Sequence, residues 1–210
     1  MRKVLASVVI VAAIAVAAWF FVPTLLVRSV GGPADLPYTV GSVAVNPFSG
    51  TATLSEFVLF SPSPYSAPHV IKVDEIRARF DRSTLTKDVI VVNEVVVRGA
   101  DVQIEQRGRD LNLRDVVQGV NAYLAQADTS ATPRIFVHEF RFEEGTGTLS
   151  SDAGTREFAI RDIVLRDLGS RDNGTPVQVV AGNLLEPVLL RALQDAGAAS
   201  LGDRIGRIFR

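Results

Sequence analysis

The 210-residue chain contains no cysteine, which excludes disulfide frameworks, thiolate metal sites and cysteine nucleophiles together. Its lysine and arginine residues are scattered, and the formal net charge is only −1. A nucleic-acid-binding domain would carry a concentrated basic surface, so we expect no nucleic-acid partner. The absence of cysteine also fits an exported domain.

Motifs that carry catalysis are missing as well. The chain has two histidines, and neither belongs to an HExxH zinc helix; no serine lies in a GxSxG nucleophile elbow. Strand alternation places His138 with Phe136, Phe140 and Phe142 on one face and the adjacent Glu139 on the other. We therefore expect no catalytic, cofactor-binding or metal-binding residues, and a protein that is not an enzyme.

A long uncharged run occupies the N-terminus, from Val4 to Val22. This length is close to the roughly 20 residues that span the hydrocarbon core of a bilayer. Arg2 and Lys3 precede the run, so the positive-inside rule places the N-terminus in the cytoplasm. We predict that residues 1–28 form a single-pass transmembrane anchor with a short cytoplasmic N-terminus. Its far end carries membrane-interface candidates, which are Trp19, Phe20 and Phe21.

The same segment has a second interpretation, because a basic start and an alanine-rich stretch are also typical of a cleaved signal peptide. The apolar run is longer than a typical signal-peptide core, which favours the anchor. In either case the chain after about Arg28 lies outside the cytoplasm. Residues 29–37, which include the stretch GGPADLP, are predicted to be a linker.

Strand signals dominate residues 38–175. Five times an acidic residue is followed by the pattern apolar, any residue, apolar, and the acidic positions are Glu56, Glu75, Glu94, Glu139 and Asp162. Spacings near twenty residues suit one strand up and one strand down. The pattern predicts an antiparallel meander in which each acid marks the rim where a strand enters the sheet.

Two stretches of the chain are similar to each other, residues 91–106 and 136–151, and each reads as strand, glycine-containing turn, strand. Between them, apolar residues at helical spacing follow Asn112, a plausible N-cap with Asp115 three residues later. We therefore predict a helix near 112–127, inserted into the meander. The connector from Asn46 to Gly50 is predicted to join the first two strands, with glycine available for a positive φ.

A C-terminal helical segment is predicted over residues 176–210. Its first helix runs from about Leu184 to Ala199, with Pro187 tolerated in the first turn. The last ten residues form an amphipathic tail, which either caps the open end of the sheet or docks on an anionic bilayer. In the second case the membrane-interface candidates are Arg204, Arg207 and Arg210.

Several stretches together, in order behind the N-terminal run, resemble the N-terminal region of the AsmA-like proteins, distant relatives of the chorein-type lipid-transfer proteins. They are VAVNPFSGTATL, FVLFSPSPYSAP, VDEIRARFDRSTLTKDVIVVNEVVVRGADVQIE and NLRDVV. The resemblance covers roughly residues 1–120 well and the rest more loosely. Well-known members of that family are several times longer than this chain.

The resemblance implies an anchor in the bacterial inner membrane and a periplasmic domain whose strands bend into a half-open groove with an apolar inner face. Combined with the patterns above, it predicts an α+β fold: a transmembrane helix, then a curved antiparallel β-meander over 38–175 with an inserted helix, then C-terminal helices. The implied function is non-enzymatic, in envelope or outer-membrane lipid homeostasis, with membrane phospholipids as the partner. No catalytic or cofactor residues come with the family.

The stretch VIVVNEVVV is apolar on both faces. One interpretation is a strand buried in an ordinary core. In the other, one face lines a groove for acyl chains, which need continuous apolar surface. The lipid-groove candidates are Phe57, Leu59, Val95, Val97, Phe140, Phe142, Ile163 and Leu165. The alternative function is a structural or adaptor module of the envelope, whose apolar sheet face is covered by a protein partner.

Overall fold

Strands make up most of the described chain. The computed structural model describes residues 38–46, 48–126 and 133–196. The first half contains β1 (Tyr38–Asn46), β2 (Thr51–Leu59), β3 (Ile71–Phe80), β4 (Val89–Arg107), β5 (Asp110–Leu111) and α1 (Asn112–Gln126). The second half contains β6 (Arg134–Phe142), β7 (Gly145–Ser151), β8 (Gly154–Ile160), β9 (Ile163–Leu168), β10 (Thr175–Pro176) and α2 (Val177–Asp195).

The first two strands form the predicted hairpin, with β1 antiparallel to β2. The Asn46 side chain accepts hydrogen bonds from the backbone N–H groups of Phe48 and Ser49, at 3.0 and 3.1 Å. Gly50 has a φ of +67°, a conformation that glycine adopts without the steric cost paid by other residues. The prediction of a connector that ends in a positive-φ glycine is therefore confirmed.

The prediction of an antiparallel meander is wrong, because the sheet is mixed. Strands β1 to β4 follow one another antiparallel, but β6 and β7 both run parallel to β4. The reason is α1, which lies between β4 and β6 in the chain. A hairpin reverses the strand direction, whereas a helical crossover returns the chain to the end of the sheet where the previous strand began.

The two similar stretches lie side by side. Val92 of β4 is opposite Val137 of β6, and Ile104 of β4 is opposite Leu149 of β7, so the offset along the chain is 45 residues at both places. The predicted turn at the centre of the first stretch does not exist, since β4 continues through Gly99. The sequence similarity therefore reflects two parallel neighbours rather than two hairpins.

Burial alternates along the strands, and the alternation shifts by one residue along two lines that cross the sheet. We call them the first and second alternation breaks. At each break two consecutive residues of a strand face away from the helices. The first break comprises Gly41-Ser42, Ser55-Glu56, Asp74-Glu75 and Arg98-Gly99, and the second comprises Asn93-Glu94, His138-Glu139 and Arg166-Asp167.

Left-handed backbone conformations occur at three of the seven residue pairs that make up these breaks. Glu56 and Gly99 on the first break have φ values of +56° and +61°, and Asp167 on the second has a φ of +54°. A single residue in this conformation interrupts the regular pleat, in which successive side chains point to opposite faces. The following side chains therefore emerge on the face opposite to the one that uninterrupted alternation would give.

The predicted role of the acidic motif is wrong for four of its five positions. Glu56 and Glu75 lie in mid-strand at the first break, and Glu94 and Glu139 lie at the second; only Asp162 immediately precedes a strand. The motif recurs because a break leaves a solvent-facing position for the acid and starts a new apolar alternation directly after it.

The predictions for the chain ends have mixed outcomes. Helix α1 lies where a helix near 112–127 is predicted, but α2 begins at Val177 rather than near Leu184, so Pro187 falls inside it and not in its first turn. No helix among the described residues is long and apolar enough to cross a membrane. The predicted anchor, including Trp19, Phe20 and Phe21, and the tail with Arg204, Arg207 and Arg210 lie outside the described residues.

Candidate apolar groove

The helices lie against one face of the sheet, which we call the inner face. Two rows of apolar side chains cross it between the alternation breaks, and their members are directly opposite one another on neighbouring strands. One row is Val43, Leu54, Ile76, Val97, Phe142 and Ile163; the other is Val45, Ala52, Ala78, Val95, Phe140 and Leu165.

The eight lipid-groove candidates all lie on this inner face. Six of them belong to the two rows, and Phe57 and Leu59 continue the face beyond the first break, opposite Val73 and Ile71. Alternation breaks keep the apolar residues on one side although their spacing in the sequence changes. The structure therefore brings the candidates together as one continuous apolar surface.

Most of these candidates are also covered by the protein itself. Phe142 is 1% exposed and Phe140 is 4% exposed, and Leu59, Val97 and Ile163 are buried too. They belong to a cluster with residues of both helices, among them Val116 and Leu193. Phe57, Val95 and Leu165 are only partly buried. The part of the inner face beneath the helices thus has the character of a core.

The apolar rows extend beyond the helices. The main contacts of α1 and α2 are with each other and with β4, β5, β6, β8 and β10. Ala52 and Leu54 on β2 lie outside both apolar clusters that the helices join. On β1, Val43 and Val45 are half-buried. On β2 and β3 the row members Ala52, Leu54 and Ala78 are buried, so the part of the rows that a ligand can reach most readily is the inner face of β1.

The opposite, outer face is charged between the breaks. Arg98 donates to the carboxylates of Glu143 and Glu75, and Glu139 accepts from Arg141 and Arg166. Hydrogen bonds from Arg98 hold the pKa of Glu143 below its ordinary value, and those from Arg141 and Arg166 do the same for Glu139. Such a surface suits water rather than acyl chains.

His138 lies on the outer face as well, contrary to the prediction that it shares a face with Phe140 and Phe142. The second alternation break falls at His138-Glu139, so Phe140 and Phe142 turn to the inner face. The His138 ring packs edge-on against the buried Phe136, with ring centroids 4.9 Å apart. Among residues 38–46, 48–126 and 133–196, no cluster of three or more His, Asp or Glu residues could hold a metal ion.

Two buried polar residues that sequence patterns do not reveal fix the end of the sheet beside α1. The Asn112 side chain is fully buried; it accepts hydrogen bonds from the N–H groups of Glu105 and Leu113 and donates to the carbonyl of Gln103 and the hydroxyl of Ser61. Only the helix start at Asn112 is visible in the sequence, because its partner Ser61 is distant along the chain.

Glu105 is the second of these residues. Its carboxylate accepts hydrogen bonds from the backbone N–H groups of Ser66 and Ala67, at 2.6 and 2.5 Å, and from Arg107 at 2.7 Å. Burial alone would raise the pKa of Glu105, but these hydrogen bonds lower it below its ordinary value. The carboxylate thereby fastens the proline-rich loop after β2 to the end of β4.

Comparison of the chain with models of protein families, with curated proteins and with solved structures finds no match. The function is therefore argued from the inner face itself and from the sequence resemblance to the AsmA-like proteins.

Proposed function

We propose that this protein is a membrane-anchored, non-enzymatic component of the bacterial cell envelope, AsmA-like in type, whose inner face binds the acyl chains of phospholipids in the periplasm. The observation that carries the proposal is the extension of the two apolar rows past the helices to β1, where Val43 and Val45 are only half-buried. Acyl chains require continuous apolar surface and few specific polar contacts, which is what these rows provide.

The size of the sheet limits the role of one copy. Six strands follow one another in the longest hydrogen-bonded path across the sheet, from β1 to β10. At about 4.8 Å between strands the path is roughly 24 Å wide, less than the roughly 40 Å thickness of one bilayer with its headgroups. One copy therefore holds lipid locally and does not bridge two membranes.

Photo-crosslinking of the full chain in membranes tests the proposal. The photoreactive amino acid p-benzoylphenylalanine is placed at Val43 or Val45, on the inner face, and in matched controls at Thr39 or Ala44, two outer-face residues of the same strand. We expect phospholipid adducts at Val43 and Val45 at several times the yield of the controls. Equal yields at the two faces, or no lipid adduct at Val43 and Val45, would contradict lipid binding.

The second candidate function is a structural or adaptor module. It is favoured by the burial of Val97, Phe140, Phe142 and Ile163 beneath the protein's own helices, as in an ordinary core. In the same experiment this function predicts adducts to a different protein, not to lipid, at Val43 and Val45; an adduct to a second copy of this chain would not support it.

The membrane location is tested separately. A reporter enzyme fused after Arg210 should be active only outside the cytoplasm, and the protein should stay in the membrane fraction after a carbonate wash. A soluble product that begins near residues 17–20 would instead indicate a cleaved signal peptide.

A further inference from the structure

Strand β1 is an edge of the sheet: among the described strands it pairs with β2 alone. An edge strand leaves the N–H and C=O groups of alternate residues without a partner in the sheet, and natural proteins commonly protect such edges with charged residues or proline. From Tyr38 to Asn46 the sequence is YTVGSVAVN, with neither a charge nor a proline. No residue of β1 is buried.

Other edge strands of the sheet differ in this respect. Strand β8, which pairs only with β7, carries Arg156 and Glu157, and β9, which pairs only with β6, carries Arg166 and Asp167. These charges disfavour the addition of another strand. Strand β10, which pairs only with β6, has no charge but carries Pro176. Among the described strands that have a single partner, β1 alone carries neither a charge nor a proline.

The first alternation break gives β1 an internal symmetry. Its inner-face residues are Tyr38, Val40, Val43 and Val45, and Gly41 and Ser42 lie between them on the outer face. This set is unchanged by reversal about the midpoint of Gly41 and Ser42. An antiparallel strand with the same sequence can therefore pair with β1 so that inner-face residues are opposite inner-face residues along its whole length.

We propose that β1 is a self-association surface, in which β1 of a second copy of this chain pairs antiparallel about a two-fold axis between Gly41 and Ser42. Tyr38 lies opposite Val45 of the second copy, and Val40 lies opposite its Val43. A shift of the register by one residue in either direction sets inner-face residues opposite outer-face residues, which would expose the apolar side chains.

The backbone is compatible with this register. In an extended strand of L-residues, the face of a side chain and the direction of that residue's N–H and C=O groups change together. The first alternation break reverses both the side-chain face and the direction of the backbone groups. Val40 and Val43 therefore direct their N–H and C=O groups to the same side of β1. The pairing therefore makes a regular ladder on each side of the axis and joins the inner faces of the two copies.

Paired cysteine substitutions test the proposal directly, since the natural chain has no cysteine. Two differently tagged full-length copies, one with Val40→Cys and one with Val43→Cys, are co-expressed and oxidised in membranes. Directly opposite residues of antiparallel strands have Cβ atoms about 4.5–5.5 Å apart, within reach of a disulfide or a short thiol crosslinker. We expect a heterodimer that contains both tags.

The matched control pairs a Val40→Cys copy with an Ala44→Cys copy, because Ala44 follows Val43 directly and lies on the outer face. In a second control both copies carry Arg156→Cys, on the charged edge strand β8. We expect the test pair to give at least about fivefold more crosslinked dimer than either control, because disulfides form only over short, well-oriented distances. Tyr38→Cys with Val45→Cys should crosslink as well.

Equal crosslinking in test and control pairs would overturn the proposal, as would crosslinking of Val40→Cys to a different protein. Light scattering of the unmodified full-length chain in detergent provides a readout that needs no variant. A dimer whose dissociation increases at least about tenfold in Val43→Lys, but not in Ala44→Lys, supports pairing through the inner-face residues of β1. A monomer at all concentrations contradicts it.

Discussion

The guanidinium of Arg98 donates two hydrogen bonds, 2.9 and 3.0 Å long, to the carboxylate of Glu143. Arg98 lies on β4 at the first alternation break, and Glu143 lies at the junction of β6 and β7. A third partner, Glu75 on β3, accepts from Arg98 at 3.2 Å. The charged side chains of Glu75, Arg98 and Glu143 thus contact one another on the outer face, at the first alternation break.

This ion pair should nevertheless contribute little to stability. Arg98 is 46% exposed and Glu143 is 37% exposed, so water and salt weaken the attraction. We expect Arg98→Ala to leave the urea midpoint of unfolding almost unchanged. A large fall in the midpoint would contradict this view, and added salt should reduce any difference between the two proteins.

The neighbouring Gly99 should be far more sensitive. Its φ is +61°, and an added Cβ would collide with the carboxylate of Asp74 and lie 2.7 Å from the Asp74 Cβ. Gly108 has a similar φ of +58° but open space around it. We expect Gly108→Ala to cost about 1 kcal/mol from the backbone alone, and Gly99→Ala to cost more because the strand must also shift. Equal losses in urea denaturation would show that the contact with Asp74 is unimportant.

Asn112 should be the most costly polar side chain to remove of those discussed above. Asn112→Ala leaves buried N–H and C=O groups of β4 and α1 without partners, which costs about 1–3 kcal/mol for each unsatisfied group. We expect a clear fall in melting temperature, together with loss of amide-exchange protection at the start of α1. Asn173→Ala is the control, because Asn173 is exposed and the hydrogen bonds it makes to described residues use its backbone. Similar melting temperatures for the two variants would contradict the role of Asn112.

Acid should destabilise the protein through Glu105. Since its folded-state pKa is lowered, the ionised carboxylate stabilises the fold above the unfolded pKa of about 4.3, and this stabilisation is lost as the pH falls through the folded pKa. We expect Glu105→Gln to be less stable than the natural chain at pH 7 and to lose less stability between pH 5 and pH 3. Glu157→Gln, on the exposed part of β8, should keep the acid dependence of the natural chain. Parallel pH profiles for Glu105→Gln and the natural chain would overturn the prediction.

Local patterns were sufficient for local structure. The connector from Asn46 to Gly50 and the helix that begins at Asn112 each depend on residues close together in the chain, whose side-chain and backbone preferences act within a few residues. The apolar character of Val95, Val97, Phe140 and Phe142 likewise follows from composition. Their common face was predictable because the hydrophobic residues of neighbouring strands pack on the buried face of a sheet.

The direction of β6 and the alternation breaks could not be predicted in the same way. Whether β6 runs parallel or antiparallel to β4 depends on the path of α1 across the sheet, and the consecutive polar pairs Asp74-Glu75 and His138-Glu139 looked like opposite-facing residues of regular strands. The residues with left-handed backbone conformation on neighbouring strands, and the residues directly opposite these pairs, can be identified only when the strand register is known.

The sequence by itself determined the elements of this protein: strand-rich composition, one hairpin, the inserted helix and a set of apolar residues able to form one surface. Only the tertiary structure decided that the sheet is mixed, that the two similar stretches are parallel neighbours, and which apolar residues the helices cover. The physical reason is distance along the chain. Turn and helix signals arise from neighbouring residues, whereas strand direction and burial depend on contacts between residues dozens of positions apart.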